Sequence, residues 1–201
     1  MLIYASLSGA IAQLGERIPC TDEVVGSIPT GSTIFTMKDS ISLIGMAGAG
    51  KTTVGKILST KLSLKFIDSD HIIENLYGKT QQIIDTQGKQ RFKALEEEVL
   101  LSIEFDNTLL STGGSAIFSI SAMEYLKKSS EIIFLEVPFE TISNRVGSFE
   151  GRGFVKNSQQ SFREAYDERE SLYRKYADHI VINDGDIDSS LKQLVALIKS
   201  F

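Results

Sequence analysis

The sequence predicts an α/β protein of three layers, a mostly parallel five-stranded sheet flanked on both faces by helices. Three observations carry that expectation. From Ser40 onward short apolar segments alternate with amphipathic ones, and strands separated by helices pair in parallel under cover on both faces. The run Gly45-Met46-Ala47-Gly48-Ala49-Gly50-Lys51-Thr52 fits G-x-x-x-x-G-K-[ST] and lies between such a strand and such a helix. Finally, 201 residues with 42% hydrophobic content suffice for one domain with a substantial core.

The elements follow in order. Ile41-Ser42-Leu43-Ile44 is short and apolar, as a buried strand should be. After the glycine-rich run, Val54, Ile57, Leu58 and Leu62 recur on one face of a helix. Lys65-Phe66-Ile67 reads as a second strand, extended through Asp68-Ser69-Asp70. Phe92, Leu95, Val99 and Ile103 mark a helix from about Phe92 to Ile103. Thr108–Ser111, Glu131–Val137 and His179–Ile182 complete the strands. Phe162, Ala165, Tyr166, Leu172, Tyr173 and Tyr176 form the stripe of a long helix, and Leu191, Leu194, Val195 and Ile198 that of a last one. In such folds ligands sit outside the C-terminal ends of the strands.

Bulk properties exclude several functions. A net charge of −5 and pI near 5.2 offer no nucleic-acid surface. No apolar run approaches the ~18 residues of a membrane span. The single cysteine, Cys20, excludes an intramolecular disulfide and fits a reducing cytoplasm.

The first 36 residues read differently from the rest, being rich in Gly, Ser, Thr and Pro with no sustained period. Ala12-Gln13-Leu14-Gly15-Glu16-Arg17 can be encoded by GCT-CAG-CTG-GGA-GAG-CG, which resembles the D-arm of a transfer-RNA gene. Gly26-Ser27-Ile28-Pro29 can be encoded by GGT-TCG-ATT-CC, which resembles its T-arm. A disordered or targeting extension is the alternative. The expectation is that residues 1–36 are a translated transfer-RNA gene, with Met37 the true start of a single domain at 37–201. Without Glu16, Arg17, Asp22 and Glu23 the net charge falls to −3.

In the glycine-rich run, backbone N–H groups would face phosphate oxygens, Lys51 would reach the β- and γ-phosphates, and Thr52 would hold Mg²⁺. A turn that merely caps a helix is the alternative; strand, loop and helix in sequence favour a nucleoside triphosphate. Asp68 and Asp70, two apart on an extended segment, can face one side. One carboxylate would support Mg²⁺ beside Thr52, and the other would take a proton from an attacking hydroxyl. Capping of a following helix is the competing role for these aspartates. Arg169 falls inside the apolar stripe, where a guanidinium must be paired, either in a structural salt bridge or with a ligand's carboxylate or phosphate. Residues 145–154 carry three glycines and two arginines, Arg145 and Arg152, and read as a mobile flap closing on nucleotide, with a plain surface loop as the alternative.

Taken together these residues resemble the shikimate kinase family, within the P-loop small-molecule kinases of nucleoside-monophosphate-kinase type. The resemblance runs from about Ser40 to Phe201. It covers the loop Gly45–Thr52 and the pair Asp68 and Asp70. It continues through Gly88, Phe92, Lys93 and Glu96, then Ser111-Thr112-Gly113-Gly114-Ser115, and Arg145 and Arg152. It ends in Tyr166, Arg169, Ser171, Leu172 and Tyr173, followed by Ala177-Asp178. It implies a P-loop kinase fold with a mobile lid at about 147–160, and ATP-dependent phosphorylation of shikimate to shikimate 3-phosphate in the cytoplasm by a monomer. It assigns catalysis to Lys51, Asp70 and Arg152. Nucleotide falls to Gly48, Ala49, Gly50, Lys51, Thr52, Thr53, Arg145 and Arg152, and Mg²⁺ to Thr52 and Asp68. Acceptor contacts fall to Asp70, Lys93, Gly113, Gly114, Ser115 and Arg169.

Departures cluster on the acceptor side. Lys93 stands where the family usually has an arginine, Ser115 where it has a third glycine, Lys89 where it has a glutamate, and Gly153 where it has a proline. Lysine keeps the charge but loses the two-pronged geometry. A kinase for another small hydroxy acid or polyol, or a non-catalytic nucleotide-binding module, are the alternatives that these changes leave open.

The leader generates the first prediction. A chain beginning at Met37 is expected to match the full chain in thermal midpoint and in ATP turnover. A markedly lower midpoint for the shorter chain would show that the leader is part of the fold.

Overall fold

The computed structural model describes residues 38–146 and 159–201, all within one compact unit, Thr36–Phe201. The strands are β1 (Ile41–Ile44), β2 (Lys65–Asp68), β3 (Thr108–Ser111), β4 (Glu131–Glu136) and β5 (His179–Ile182). The helices are α1 (Lys51–Leu62), α2 (Ser69–Tyr77), α3 (Thr80–Ser102), α4 (Ile120–Ser129), α5 (Phe139–Val146), α6 (Phe162–Tyr176) and α7 (Ile187–Ile198). The strands form one sheet in the order β2-β3-β1-β4-β5, and every pairing is parallel.

Alternate side chains of the central strands feed separate cores, because successive residues of a strand face opposite sides. Ile41 and Leu43 join Ile133, Leu135, Val54 and Leu58 of α1, and Leu191 and Leu194 of α7. Ile44 joins Ile132, Phe134, Met123 and Leu126 of α4, and Tyr173 of α6. The all-parallel, doubly covered sheet expected from the alternation of elements is therefore present. Its order turns back at β1, which lies between β3 and β4, and the loops after these strands gather around that point.

Three short helices lie between the elements read from the sequence, each with an apolar stripe of two turns at most: Ile73 and Leu76 in α2, Met123 and Leu126 in α4, and Phe139, Ile142 and Val146 in α5. Buried residues number two in α2 (Ser69, Ile73), three in α4 (Ala122, Met123, Leu126) and two in α5 (Ile142, Val146). Helix α3 begins well before Phe92. Gly88, at φ 87, breaks the helical conformation inside it, and Ile83 on the earlier half packs with Ile73, Phe92 and Leu95. Tertiary burial thus recruits a polar stretch that has no clear stripe of its own. β4 stops at Glu136, one residue short of the expected end.

One expectation is corrected. Asp70 is not on an extended segment; β2 ends at Asp68, and Asp70 is the second residue of α2. Asp68 Oδ1 accepts the His71 N–H at 3.2 Å, capping that helix. The chain turns sharply there because an aspartate at the N-cap satisfies a donor that has no intrahelical partner.

Where β1 ends, Gly45 has φ +147, and a Cβ placed on it would lie 2.7 Å from the Leu135 carbonyl oxygen of β4. Both backbone strain and contact forbid a side chain. Gly45→Ala is expected to cost about 1–3 kcal/mol, which lowers the thermal midpoint by several degrees. A midpoint equal to the parent's in a melting experiment would refute this account of the strand exit.

Candidate active site

Lys51 opens α1 with its ammonium turned back onto its own loop. Nζ donates to the carbonyls of Gly45 at 2.7 Å and Met46 at 2.9 Å. It is 7% exposed. Burial lowers its pKa to about 8, against the opposing pull of Asp70, Asp68 and Glu96. No side chain caps α1 among the described residues, which leaves its first N–H groups for an anion. Gly48, Ala49, Gly50, Thr52 and Thr53 surround that helix end, with Ala49 buried and both threonines exposed.

The Thr52 hydroxyl donates to Asp68 Oδ2 at 2.7 Å. Asp68 thus caps α2 with one oxygen and sets the other against the Thr52 hydroxyl. Hydroxyl and carboxylate together are hard oxygen donors, the kind Mg²⁺ takes while it keeps waters and phosphate oxygens for its other positions.

Asp70 is held in a cleft of 760 Å³ that Thr52, Asp68, His71, Glu74 and Phe92 also line. It keeps an exposed face, yet protein crowds it, and desolvation pushes its carboxyl up to about 6 while Lys51 draws it down. The open face tempers that shift. Gly113 approaches it closely: a Cβ there would lie 2.6 Å from Asp70 Oδ1 and would collide with Glu96 Oε1. Gly113 N–H donates to Ser69 Oγ at 3.0 Å. Thr112 ties the same loop to β1, giving both N–H and hydroxyl to the Leu43 carbonyl at 3.1 and 3.0 Å. Tyr173 donates to the Gly114 carbonyl at 2.7 Å.

Lys93 and Arg169 meet at one aromatic ring. Lys93 Nζ lies 4.4 Å from the Phe118 centroid and the Arg169 guanidinium 5.0 Å from it. Arg169 is 1% exposed, and Nη1 donates to the Ala165 carbonyl at 3.0 Å. Burial lowers its pKa, opposed by Tyr173, Glu168 and Glu96. Ser115 is buried beside Glu96, to which its hydroxyl donates. Asp70, Glu96, Gly113 and Ser115 therefore converge through direct approaches, and Phe118 brings Lys93 and Arg169 together.

Arg145 on α5 lies against the end of β5, Nη2 donating to the Asn183 carbonyl at 3.4 Å. Arg152 and most of the expected lid, 147–158, lie outside the described residues, as do residues 1–37.

Sequence reasoning missed Asn183. It is 2% exposed, and its Nδ2 donates to the Ala49 carbonyl at 2.8 Å, bracing the loop from the end of β5. Its Oδ1 accepts the Ser190 hydroxyl at 3.1 Å. Its place at the C-terminal end of a strand was the one available signal. Phe118 was missed as well, and nothing in its local sequence marks it.

A sequence model described as shikimate kinase matches residues 47–199. The chain is 36% identical over 163 residues to a shikimate kinase of Clostridium botulinum (strain Alaska E43 / Type E3), covering 81% of this chain and 98% of the relative. It is 35% identical over 167 residues to that of Francisella tularensis subsp. novicida, covering 81% and 93%. Among solved structures it resembles a shikimate kinase from Acinetobacter baumannii in complex with shikimate, with TM-score 0.72, 31% identity and coverage of 82% and 94%. The Aquifex aeolicus shikimate kinase gives TM-score 0.68 at 28% identity, covering 80% and 96%. The fold is that of the P-loop kinases, and this chain belongs to the shikimate kinase family.

Proposed function

We propose that the chain transfers the γ-phosphoryl group of ATP to the 3-hydroxyl of shikimate. One observation supports this above the rest: Lys93 and Arg169 share the Phe118 ring, while Glu96, three residues from Lys93 on α3, meets the same Gly113 that crowds Asp70. Two cations on a fixed aromatic platform suit the carboxylate of a small acid. Asp70, raised toward neutrality, suits a group that must accept a proton from an alcohol.

In the proposed reaction the acceptor hydroxyl attacks the γ-phosphorus and its proton passes to Asp70. The bond between the γ-phosphorus and the bridging oxygen breaks, and ADP leaves. Lys51, with the N–H groups at Gly48–Thr53, holds the phosphates and stabilises charge on them in the transition state. Thr52 and Asp68 would hold Mg²⁺, which when bound would neutralise charge on the phosphate oxygens. Arg145 would bind the nucleotide, together with Arg152, which lies outside the described residues. Residues 37–201 act as one kinase domain.

Asp70→Asn retains shape and loses basicity. It is expected to reduce kcat at least a hundredfold, with ATP affinity changed little. Weakened ATP binding with kcat preserved would assign Asp70 to the metal instead.

The acceptor pocket gives a second expectation. Arg169→Ala is expected to raise the shikimate KM at least about tenfold, or about 1.4 kcal/mol. Lys93→Arg restores a two-pronged donor and should hold or improve shikimate turnover. If the parent prefers another hydroxy acid and Lys93→Arg reduces shikimate use, the acceptor is not shikimate.

A further inference from the structure

Ser115 and Glu96 are 8% and 4% exposed, and the scheme above gives neither a part in the chemistry. They come from different elements. Glu96 lies three residues beyond Lys93 on α3, on the same face. Ser115 begins the short 3-10 turn Ala116–Phe118. Its hydroxyl donates to Glu96 Oε2, and its carbonyl accepts the Phe118 N–H at 3.0 Å. One residue therefore grips the helix of Lys93 on one side and the turn of Phe118 on the other. A glycine has no hydroxyl with which to do this.

Resting on the shikimate reading, we propose that Ser115 is a positioning residue for the acceptor. Its hydroxyl clasps Glu96, and the clasp holds α3 to the turn whose Phe118 ring seats both cations of the carboxylate pocket.

The clasp also bears on charge. Burial pushes the Glu96 carboxyl up to about 8; the Ser115 hydroxyl opposes this, Asp70 adds to it, and Lys93 and Arg169 oppose it. The groups that face Glu96 are thus Asp70 of α2, Lys93 of α3 and Arg169 of α6, with Tyr173 of α6 and Lys51 of α1 also within its field. Below that pH Glu96 is neutral, and the two cations serve an anionic acceptor undiminished. As pH rises through it, Glu96 becomes negative and competes for them, so the acceptor KM climbs. Without the hydroxyl the ionised form loses a hydrogen bond, and Glu96 keeps its proton to higher pH.

The test is to measure KM for shikimate and for ATP from about pH 6 to 10 in the parent, Ser115→Ala and Ser115→Gly. Both variants are expected to raise the shikimate KM at neutral pH by about tenfold while the ATP KM stays within about twofold. The midpoint of the alkaline climb is expected to move upward. A shikimate KM within twofold of the parent's, an ATP KM that rises by the same factor, or an unmoved midpoint would each overturn the clasp. A parent that phosphorylates no shikimate would overturn the acceptor assignment and this proposal with it, a result recognisable because it precedes any substitution.

Discussion

Two buried cations, Lys51 and Arg169, set the terms for the C-terminal edge of the sheet. Each is depressed in pKa by burial and supported by carboxylates nearby, Lys51 by Asp70, Asp68 and Glu96 and Arg169 in part by Glu96. A charge taken out of water must be met by fixed partners. Asp68 at the end of β2, Asp70 on α2 and Glu96 on α3 supply the carboxylates, and the loop after β1 adds the Gly45 and Met46 carbonyls to Lys51. The carboxylates bear the reciprocal strain: burial raises both Asp70 and Glu96 toward the range where a proton can be exchanged near neutrality.

The loops after β1 and β3 cannot wander, because ordinary hydrogen bonds tie them to the scaffold. Asn183 reaches from beyond β5 to the Ala49 carbonyl. Thr112 bonds Leu43 of β1 with both of its donors. Tyr173, stacked on Phe134 with centroids 5.0 Å apart, carries its hydroxyl to Gly114. A parallel sheet places the ends of all its strands on one side, so bonds between neighbouring loops are short and rigid there. Precision at the proposed transfer centre follows from that arrangement, since misplacement of reacting groups by an ångström is costly.

Within that frame Gly113 is the tightest point. Asp70 and Glu96 both press on the space where its side chain would be, so the acceptor side of the cleft is built by leaving atoms out. Ser115, two residues on, by contrast adds an atom that Glu96 uses. Substitution at positions two apart on one loop thus has opposite physical consequences, decided by which groups lie opposite.

Much was legible from local pattern. The strands, α1 and the stripes of α6 and α7 could be read because each carries its own period, and Gly45–Thr52 could be read because phosphate binding demands those residue types in that order. The short helices α2, α4 and α5 carry apolar stripes of two turns at most, too short a run to tell from a loop by local pattern, and tertiary burial decides them. Asp70 was expected on an extended segment, but the cap made by Asp68 starts a helix before it.

The sequence by itself determined the sheet, the phosphate loop, the family and the residues that carry charge, because these depend on residue type and spacing along the chain. Only the tertiary structure decided that Phe118 joins Lys93 to Arg169, that Asn183 braces a loop 134 residues away, and that Ser115 holds Glu96. Those contacts link distant segments, and the packing of helices against the sheet, which no local period encodes, brings them within reach.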